Sequence, residues 1–575
     1  MSEISFEVDG QEISAEQGDT ILEACERAGI EIPTLCHYSN LNDVGACRIC
    51  TVEIDGDNFE TACTTPVQDG ISVRTNTEEL REHRRTLLEL ICAEENHYCM
   101  YCDSDGDCEL QDLLKEYGVD HVRIPFSYKK YPVDSVSDHL VIDHNRCILC
   151  GRCIRTCEEV VANDTLDFGE RGQDTKVVAD LNQPIGESTC ISCGSCLQVC
   201  PTGTILSKHS VYRGNTKECS SAETYCSECS SACGIEVFTR SGQLVQIKGT
   251  ETDQPSGGQL CEKGRFGPLM EDRDRVEKAY VKRNGDTQEM DLEEALELAG
   301  KEMKEADSVS GMISGRLPSE TLEGFDRFIE DYDGSFYIPG SDKLIAERDV
   351  LNSPKEPYAD SLTDILQADE IFVFDTTIVD THPILSSYIR RRAKEGASLF
   401  VFDDDQDRFS RYSSGSSIGE LDLDNGEERM EKEDKSFVVI GKNIKEKGKL
   451  SEIYNFADRT DSEVISLHGF SNYKAKEFKQ DKKEEADLLY LLSSDDKDID
   501  EMLKAAKKAE FVIVQSSRAS DLTKEADLVL PGLIWSERSG TIEDVDGNKK
   551  SLNRINKPRT EFDKEEELFE RINGF

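Results

Sequence analysis

Apolar and polar positions alternate at the start of the chain. SFEVDG and then QEISAE run with a period of two, and the TILEACERAGI stretch that follows changes to helical spacing. Residues 1–75 therefore predict a hairpin, a helix and a small sheet. The segment HRRTLLELICAEENHYCMYCDSDGDCELQ reads as a helix running into a polar, cysteine-bearing loop, and GIEVFTR and QLVQIKG read as two strands. Beyond residue 275 short apolar runs (SVSGMISG, EIFVFD, SLFVFD, FVVIG, VISLHG, DLLYLLS, FVIVQSS, DLVLP) alternate with charged helical segments. That alternation predicts α/β layers around a parallel sheet. No run approaches the roughly 18 consecutive apolar residues of a transmembrane helix. MSEISFEVDG has neither the basic start nor the apolar stretch of a secretion signal, so a soluble cytoplasmic protein without a transmembrane segment is expected.

Length and charge narrow the picture. A chain of 575 residues exceeds what one core serves, so several domains are expected. Its 117 acidic and 67 basic side chains give a net charge of -50, spread along the sequence. Nucleic acid is thereby excluded as a partner. The excess reads first as a solvated surface in a salt-rich cytoplasm, and second as a field for docking a basic partner.

The cysteines decide the chemistry. All 22 lie between Cys25 and Cys261. Clustered Cys-x-x-Cys runs in a long, unexported chain indicate metal ligation by reduced thiolates, not a disulfide framework. Cys36, Cys47, Cys50 and Cys63 suit one [2Fe–2S] centre, although the gap from Cys36 to Cys47 is wider than the C-x4-C of plant-type ferredoxins. Cys25, on the predicted helix, reads as a small buried hydrophobe. Cys99, Cys102 and Cys108 leave a four-iron cluster one donor short. His97 is the natural fourth, because imidazole is a competent iron donor, with Glu95 and Cys92 as alternatives. CILCGRCIRTC and CISCGSCLQVC form an internal repeat carrying Cys147, Cys150, Cys153, Cys157, Cys190, Cys193, Cys196 and Cys200. Structural zinc more often uses two Cys pairs than eight evenly spaced thiolates. Cys226, Cys229, Cys233 and Cys261 make a last set, for which a zinc ribbon is the alternative, and Cys219 is left unligated.

These motifs carry a resemblance. The first set resembles the [2Fe–2S] domain that opens the large iron–sulfur subunit of complex I (NADH-quinone oxidoreductase) and its counterpart in NAD-linked hydrogenases. The second resembles the one-His/three-Cys cluster domain of the same family. Many relatives leave three residues between the histidine and the first cysteine, a slot held here by Glu95; the short spacing looks like that of the diaphorase subunit of NAD-reducing hydrogenases. The repeat resembles two-cluster ferredoxins, in which the fourth cysteine of each run ligates the other cluster. This implies one site of Cys147, Cys150, Cys153 and Cys200, and another of Cys190, Cys193, Cys196 and Cys157. The complex I subunit keeps only one of the two, so the full set points to the hydrogenase, formate dehydrogenase and bifurcating branch. The last set resembles the [4Fe–4S] domain opening molybdopterin-dependent oxidoreductases, including Lys263, which in that family lies between cluster and pterin.

The segments beginning SLTDILQ and KEADLVLP also resemble molybdopterin enzymes, but the chemistry of that family is missing. Its metal is held by Cys, selenocysteine, Ser or Asp on one loop. The corresponding GSFYIPGSDKLIAER offers no thiolate, only Ser335, Ser341 and Asp342. Asp375, Thr376 and Thr377 stand where relatives present a glycine-and-asparagine turn to the cofactor pyrophosphate, and Asp403, Asp404 and Asp405 end a later strand. Carboxylates repel phosphate, which is held instead by backbone amides or basic groups.

The expectation is a multidomain α+β and α/β chain in five parts. These are a β-grasp [2Fe–2S] ferredoxin-like domain (1–78), a one-His/three-Cys [4Fe–4S] domain (79–120) and a two-[4Fe–4S] ferredoxin-like domain (121–215). A molybdopterin-type [4Fe–4S] domain (216–275) and a truncated, cofactor-free molybdopterin-oxidoreductase-like α/β domain (276–575) follow. One [2Fe–2S] and four [4Fe–4S] clusters are expected, with no Mo/W-pterin, no catalytic residue and no other cofactor-binding residue. The resemblance implies electron relay between a flavin/NADH-binding subunit, with a small [2Fe–2S] subunit, and ferredoxin, a hydrogenase or another acceptor. The alternatives are a molybdenum- or tungsten-dependent formate dehydrogenase catalytic subunit and a C-terminal assembly scaffold. An iron-only hydrogenase would need cysteines after Cys261.

Overall fold

The opening hairpin forms as its alternation dictates. Glu3–Val8 pairs antiparallel with Gln11–Glu16, and Phe6, Val8, Ile13 and Ala15 are buried against the helix Ile21–Arg27. That helix is fixed at its start by a capping box between Thr20 and Glu23. A computed structural model describes residues 3–127, 130–252, 256–283, 285–351, 358–402, 409, 411–412, 415–417, 435–472, 475, 478, 480, 486–495 and 499–575. The chain divides into two units, 1–220 and 221–575.

In the first unit, Ser72–Arg74, Thr51–Ile54 and Asn58–Thr61 complete a five-stranded sheet with the hairpin. Helix Glu78–Glu94 lies against it through Arg84. This guanidinium is 1% exposed and donates to the Ile49 and Thr51 carbonyls at 3.0 and 2.8 Å. Leu35 and Ile49 share an apolar cluster with Leu88 and with Leu110, Leu113 and Tyr117 around helix Glu109–Glu116. The cysteine repeat is repeated in backbone geometry too. Leu149 and Ser192 both have positive φ, as do Gly151 and Gly194, which start the short helices Arg152–Arg155 and Ser195–Val199. The insert between the runs makes a hairpin, Leu166–Gly169 with Lys176–Ala179.

In the second unit, Ser220–Tyr225, Gly234–Arg240 and Gln243–Gly249 form a three-stranded sheet. All eight apolar runs beyond residue 275 contain strands, but they build two sheets where the alternation predicts one. Val309–Ile313, Leu488–Leu492, Phe511–Ser516 and Leu528–Pro531 join Ser335–Tyr337 and an antiparallel hairpin in a seven-stranded sheet. Glu370–Phe374, Ser398–Phe402, Ser436–Ile440 and Glu463–Ser466, with Gly415–Ser417, make a separate parallel sheet of five. Both sheets are fed by equally apolar strands, so periodicity does not reveal that the chain leaves the first sheet and returns to it. Among the described residues no helix is long and apolar enough to cross a membrane.

Candidate iron–sulfur centres

The first unit gathers cysteine sets around loops whose shape is set by backbone turns. Cys36, Cys50 and Cys63 are buried, and the Cys47 amide donates to the Cys36 sulfur at 3.5 Å. The sulfurs of Cys50 and Cys63 are 3.5 Å apart. Hydrogen bonding within the pairs Cys36–Cys47 and Cys50–Cys63 lowers one thiol of each, Cys36 and Cys50, and raises its partner. Cys25 lies in the apolar core beside them, as suits a small hydrophobe.

His97, Cys99, Cys102 and Cys108 line one cavity together with Arg146, Thr202 and Gly203. His97 Nε2 is buried and has no hydrogen-bond partner among the described residues. Burial lowers its pKa to about 4, so at neutral pH the ring is uncharged and keeps a lone pair for a metal. Glu95 and Cys92 do not line this cavity. Glu95 instead bears on Cys147, whose thiol burial has already raised. A side chain at Gly203 would place its Cβ 2.3 Å from the Cys102 sulfur, so only glycine allows this approach.

In each run of the repeat the thiols bear on the last cysteine of the other run. Burial pushes the Cys150 thiol up to about 12, and the main neighbouring charge raising it further is that of Cys200. Cys153 is raised by burial, then by Cys150, Cys147 and Cys200. On the other side burial pushes Cys190 up to about 12, with Cys193 and Cys157 as the neighbouring thiols, and Cys196 is raised by burial, Cys193, Cys190 and Cys157. The amides of Leu149 and Ser192 donate to Cys147 and Cys190 at 3.4 Å, one in each run. Buried thiols this close do not ionise unaided; a metal that replaces the proton stabilises the thiolate. Among the described residues no three His, Cys, Asp or Glu groups converge for a single ion. A four-iron cluster, ligated by one donor per iron, does not require such convergence.

In the second unit Cys226 and Cys233 are joined by an amide-to-carbonyl bond of 2.8 Å, and Cys229 and Cys261 bear on the same group. Cys261 caps helix Glu262–Phe266, accepting from the Gly264 amide at 3.5 Å, and burial pushes its thiol up to about 11. Gly264 is confined by the Cys226 sulfur, 3.3 Å from the point where a Cβ would stand. Lys263 reaches the Asp380 carbonyl at 3.2 Å.

The five-stranded sheet reverses its strand order between Glu370–Phe374 and Ser436–Ile440, the switch point where open parallel sheets bind ligands at their carboxyl ends. Charged side chains stand at that crevice. Asp375 is buried with φ +84°; its carboxylate accepts from the Thr377 and Asn443 amides at 3.0 and 2.9 Å and crowds Gly441. Lys343, 1% exposed, donates to the Ile440 and Leu467 carbonyls at 2.9 Å and lies 3.5 Å from Glu347. Sequence reasoning missed Lys343. Its signal was a lysine two residues after Ser341 in the segment where a metal ligand was sought. Ser335 bonds Ser310, Ser341 donates to Gln480 and Asp342 accepts from Tyr337, so each has a partner within the protein. Asp403, Asp404 and Asp405 lie outside the described residues.

Comparison with known proteins finds iron–sulfur cluster-binding domains along this part of the chain. Family models match as follows: 2Fe-2S iron-sulfur cluster binding domain at 1–78, NADH-ubiquinone oxidoreductase-G iron-sulfur binding region at 84–123, and 4Fe-4S dicluster domain at 146–204. Molybdopterin oxidoreductase Fe4S4 domain matches 220–270, and Molybdopterin oxidoreductase matches 435–566. The chain is 31% identical to the second of the G-type NADH-quinone oxidoreductase subunits of Rhizobium meliloti (strain 1021), over 68% of this chain and 46% of that protein. It is 33% identical to NADPH-Fe(3+) oxidoreductase subunit alpha of Geobacter sulfurreducens (strain DL-1 / KN400), over 59% and 40%. It is 25% identical to the NADH-ubiquinone oxidoreductase 75 kDa subunit of Reclinomonas americana, over 94% and 83%. The chain thus spans less than half the length of the first two of these relatives.

Proposed function

We propose, from the premise that this chain is an iron–sulfur protein resembling the large iron–sulfur subunits of NADH-quinone oxidoreductases, that it is the electron-relay subunit of an NAD(P)H-linked oxidoreductase complex. It passes single electrons between a flavin/NADH-binding subunit, accompanied by a small [2Fe–2S] subunit, and ferredoxin, a hydrogenase or another acceptor. The complex works in the cytoplasm, and it bifurcates electrons where two acceptors draw on one donor.

The observation that carries this reading is the sorting of donors into sets of four. Cys36, Cys47, Cys50 and Cys63 would hold a [2Fe–2S] cluster. His97 with Cys99, Cys102 and Cys108, the two crossed sets of the repeat, and Cys226, Cys229, Cys233 and Cys261 would each hold a [4Fe–4S] cluster. Bound there, the clusters supply one-electron steps that nicotinamide does not. In this reading the chain comprises five domains, at 1–78, 79–120, 121–215, 216–275 and 276–575, the first a β-grasp sheet and the last a truncated molybdopterin-oxidoreductase-like domain.

The residues of the C-terminal domain do not fit a metal–pterin. A pyrophosphate at the switch point would meet the Asp375 carboxylate, and Lys343 beside it is already engaged by the Ile440 and Leu467 carbonyls and by Glu347. Removing one partner of such a buried ion pair costs about 3–5 kcal/mol, so these side chains do not readily give way to a ligand. We therefore favour a relay over a formate dehydrogenase.

The test is reduction of the anaerobically purified chain. Dithionite should reduce the clusters, whereas NADH should do so only after a flavin subunit is added. Reduction by formate in the isolated chain would overturn the reading.

A further inference from the structure

The two cysteine runs are near copies, but Arg152 and Arg155 in the first stand where the second has Ser195 and Gln198. Both arginines are buried, at 3% and 7% exposure. A buried charge is costly unless it is paired or well hydrogen-bonded. Arg152 has an ordinary answer, a two-pronged ion pair with Glu109 at 2.7 and 2.9 Å. Arg155 does not, for no carboxylate among the described residues forms an ion pair with it.

What Arg155 gathers instead are carbonyls from two cluster loops. Nη1 donates to the Asn42 carbonyl at 2.5 Å, and Nη2 donates to the Cys36 carbonyl and, at 3.4 Å, to that of Cys150. One turn further along, the Glu159 carboxylate accepts from the Asn42 amide at 2.9 Å, a second tie to the same loop. Cys36 belongs to the two-iron set and Cys150 to a four-iron set. One guanidinium therefore grips the ligand-bearing loops of both, with a fixed fork that lysine does not have.

We propose that Arg155 is a positioning residue shared by two cluster sites: its fork fixes the Cys36 loop against the Cys147–Cys200 site, and its unneutralised charge favours the reduced form of both. The step it biases is the uptake of one electron by either cluster, from dithionite in vitro or from the complex's own NAD(P)H-derived donor, with no bond made or broken. Nearby positive charge raises a cluster's potential.

This inference rests on the cluster assignment above, and the two fail differently: a wrong assignment shows as missing iron in the unsubstituted chain, a wrong role for Arg155 leaves that iron in place. The experiment is an EPR-monitored redox titration of the full chain, its R155Q variant, which copies the second run, and R155K. We expect R155Q to move the two-iron midpoint and that of the Cys147–Cys200 cluster to more negative values, to leave the clusters of the His97 and Cys226 sets unmoved, and to weaken the magnetic interaction between the two-iron and Cys147–Cys200 clusters. R155K keeps the charge without the fork, so it should restore both midpoints but not the interaction. Unmoved midpoints in R155Q, or a common shift of all five, overturn the proposal. Should R155Q lose iron, R155K decides alone: unshifted midpoints with a weakened interaction support it, and any other pattern overturns it.

Discussion

At the residue scale the proposed donor sets rest on spacing, because clustered Cys-x-x-Cys runs have few uses other than metal ligation where thiols stay reduced. Cys36, Cys226 and their partners could be read from the sequence one by one. Lys343, Asp375 and Gly203 could not, since their meaning lies in what they touch: strand-end carbonyls, a neighbouring amide, a sulfur 2.3 Å from a missing Cβ. His97 falls between the two cases. Sequence offered it beside Glu95 and Cys92, and the fold puts its buried, uncharged ring in the cavity with Cys99, Cys102 and Cys108. The variant H97A should lose or alter one four-iron EPR signal and leave the others as they were. An unaltered spectrum would remove His97 from the ligand set.

At the element scale every apolar run after residue 275 gave a strand, because period and length suffice to recognise one. The partition into two sheets was hidden, since pairing depends on chain return over long separations and not on local pattern. The C-terminal helix Glu566–Gly574 shows how such an element is locked in place. Leu568, Phe569 and Ile572 join the core of the seven-stranded sheet, and Glu565 at its start is 2% exposed. The Glu565 carboxyl accepts from the Leu533 amide at 3.0 Å and from Gln515 at 2.5 Å and lies 3.5 Å from the Arg538 guanidinium, yet burial outweighs that charge and pushes its pKa up to about 7 from an ordinary 4.5. Between those values the native state holds a proton that the unfolded chain has released. This group's contribution is therefore full below about pH 4.5 and is lost as pH rises through about 7. In E565Q the fall in unfolding temperature between about pH 5 and pH 8 should be smaller than in the parent chain, as followed by calorimetry. An equal or steeper fall would contradict the assignment.

At the scale of the whole molecule the dominant fact is the net charge of -50. Charge of one sign in this excess destabilises a compact state by self-repulsion, and salt screens it over about 10 Å at 0.1 M. Raising potassium chloride should therefore raise the unfolding temperature of the full chain; a fall would mean that attractive ion pairs outweigh the repulsion. The same scale holds the central claim, that this chain carries electrons and converts no substrate. Its metal content tests that most directly. Elemental analysis of the anaerobically prepared chain should find about 18 irons, the sum for one two-iron and four four-iron clusters, and neither molybdenum nor tungsten. A stoichiometric molybdenum or tungsten signal would contradict the account.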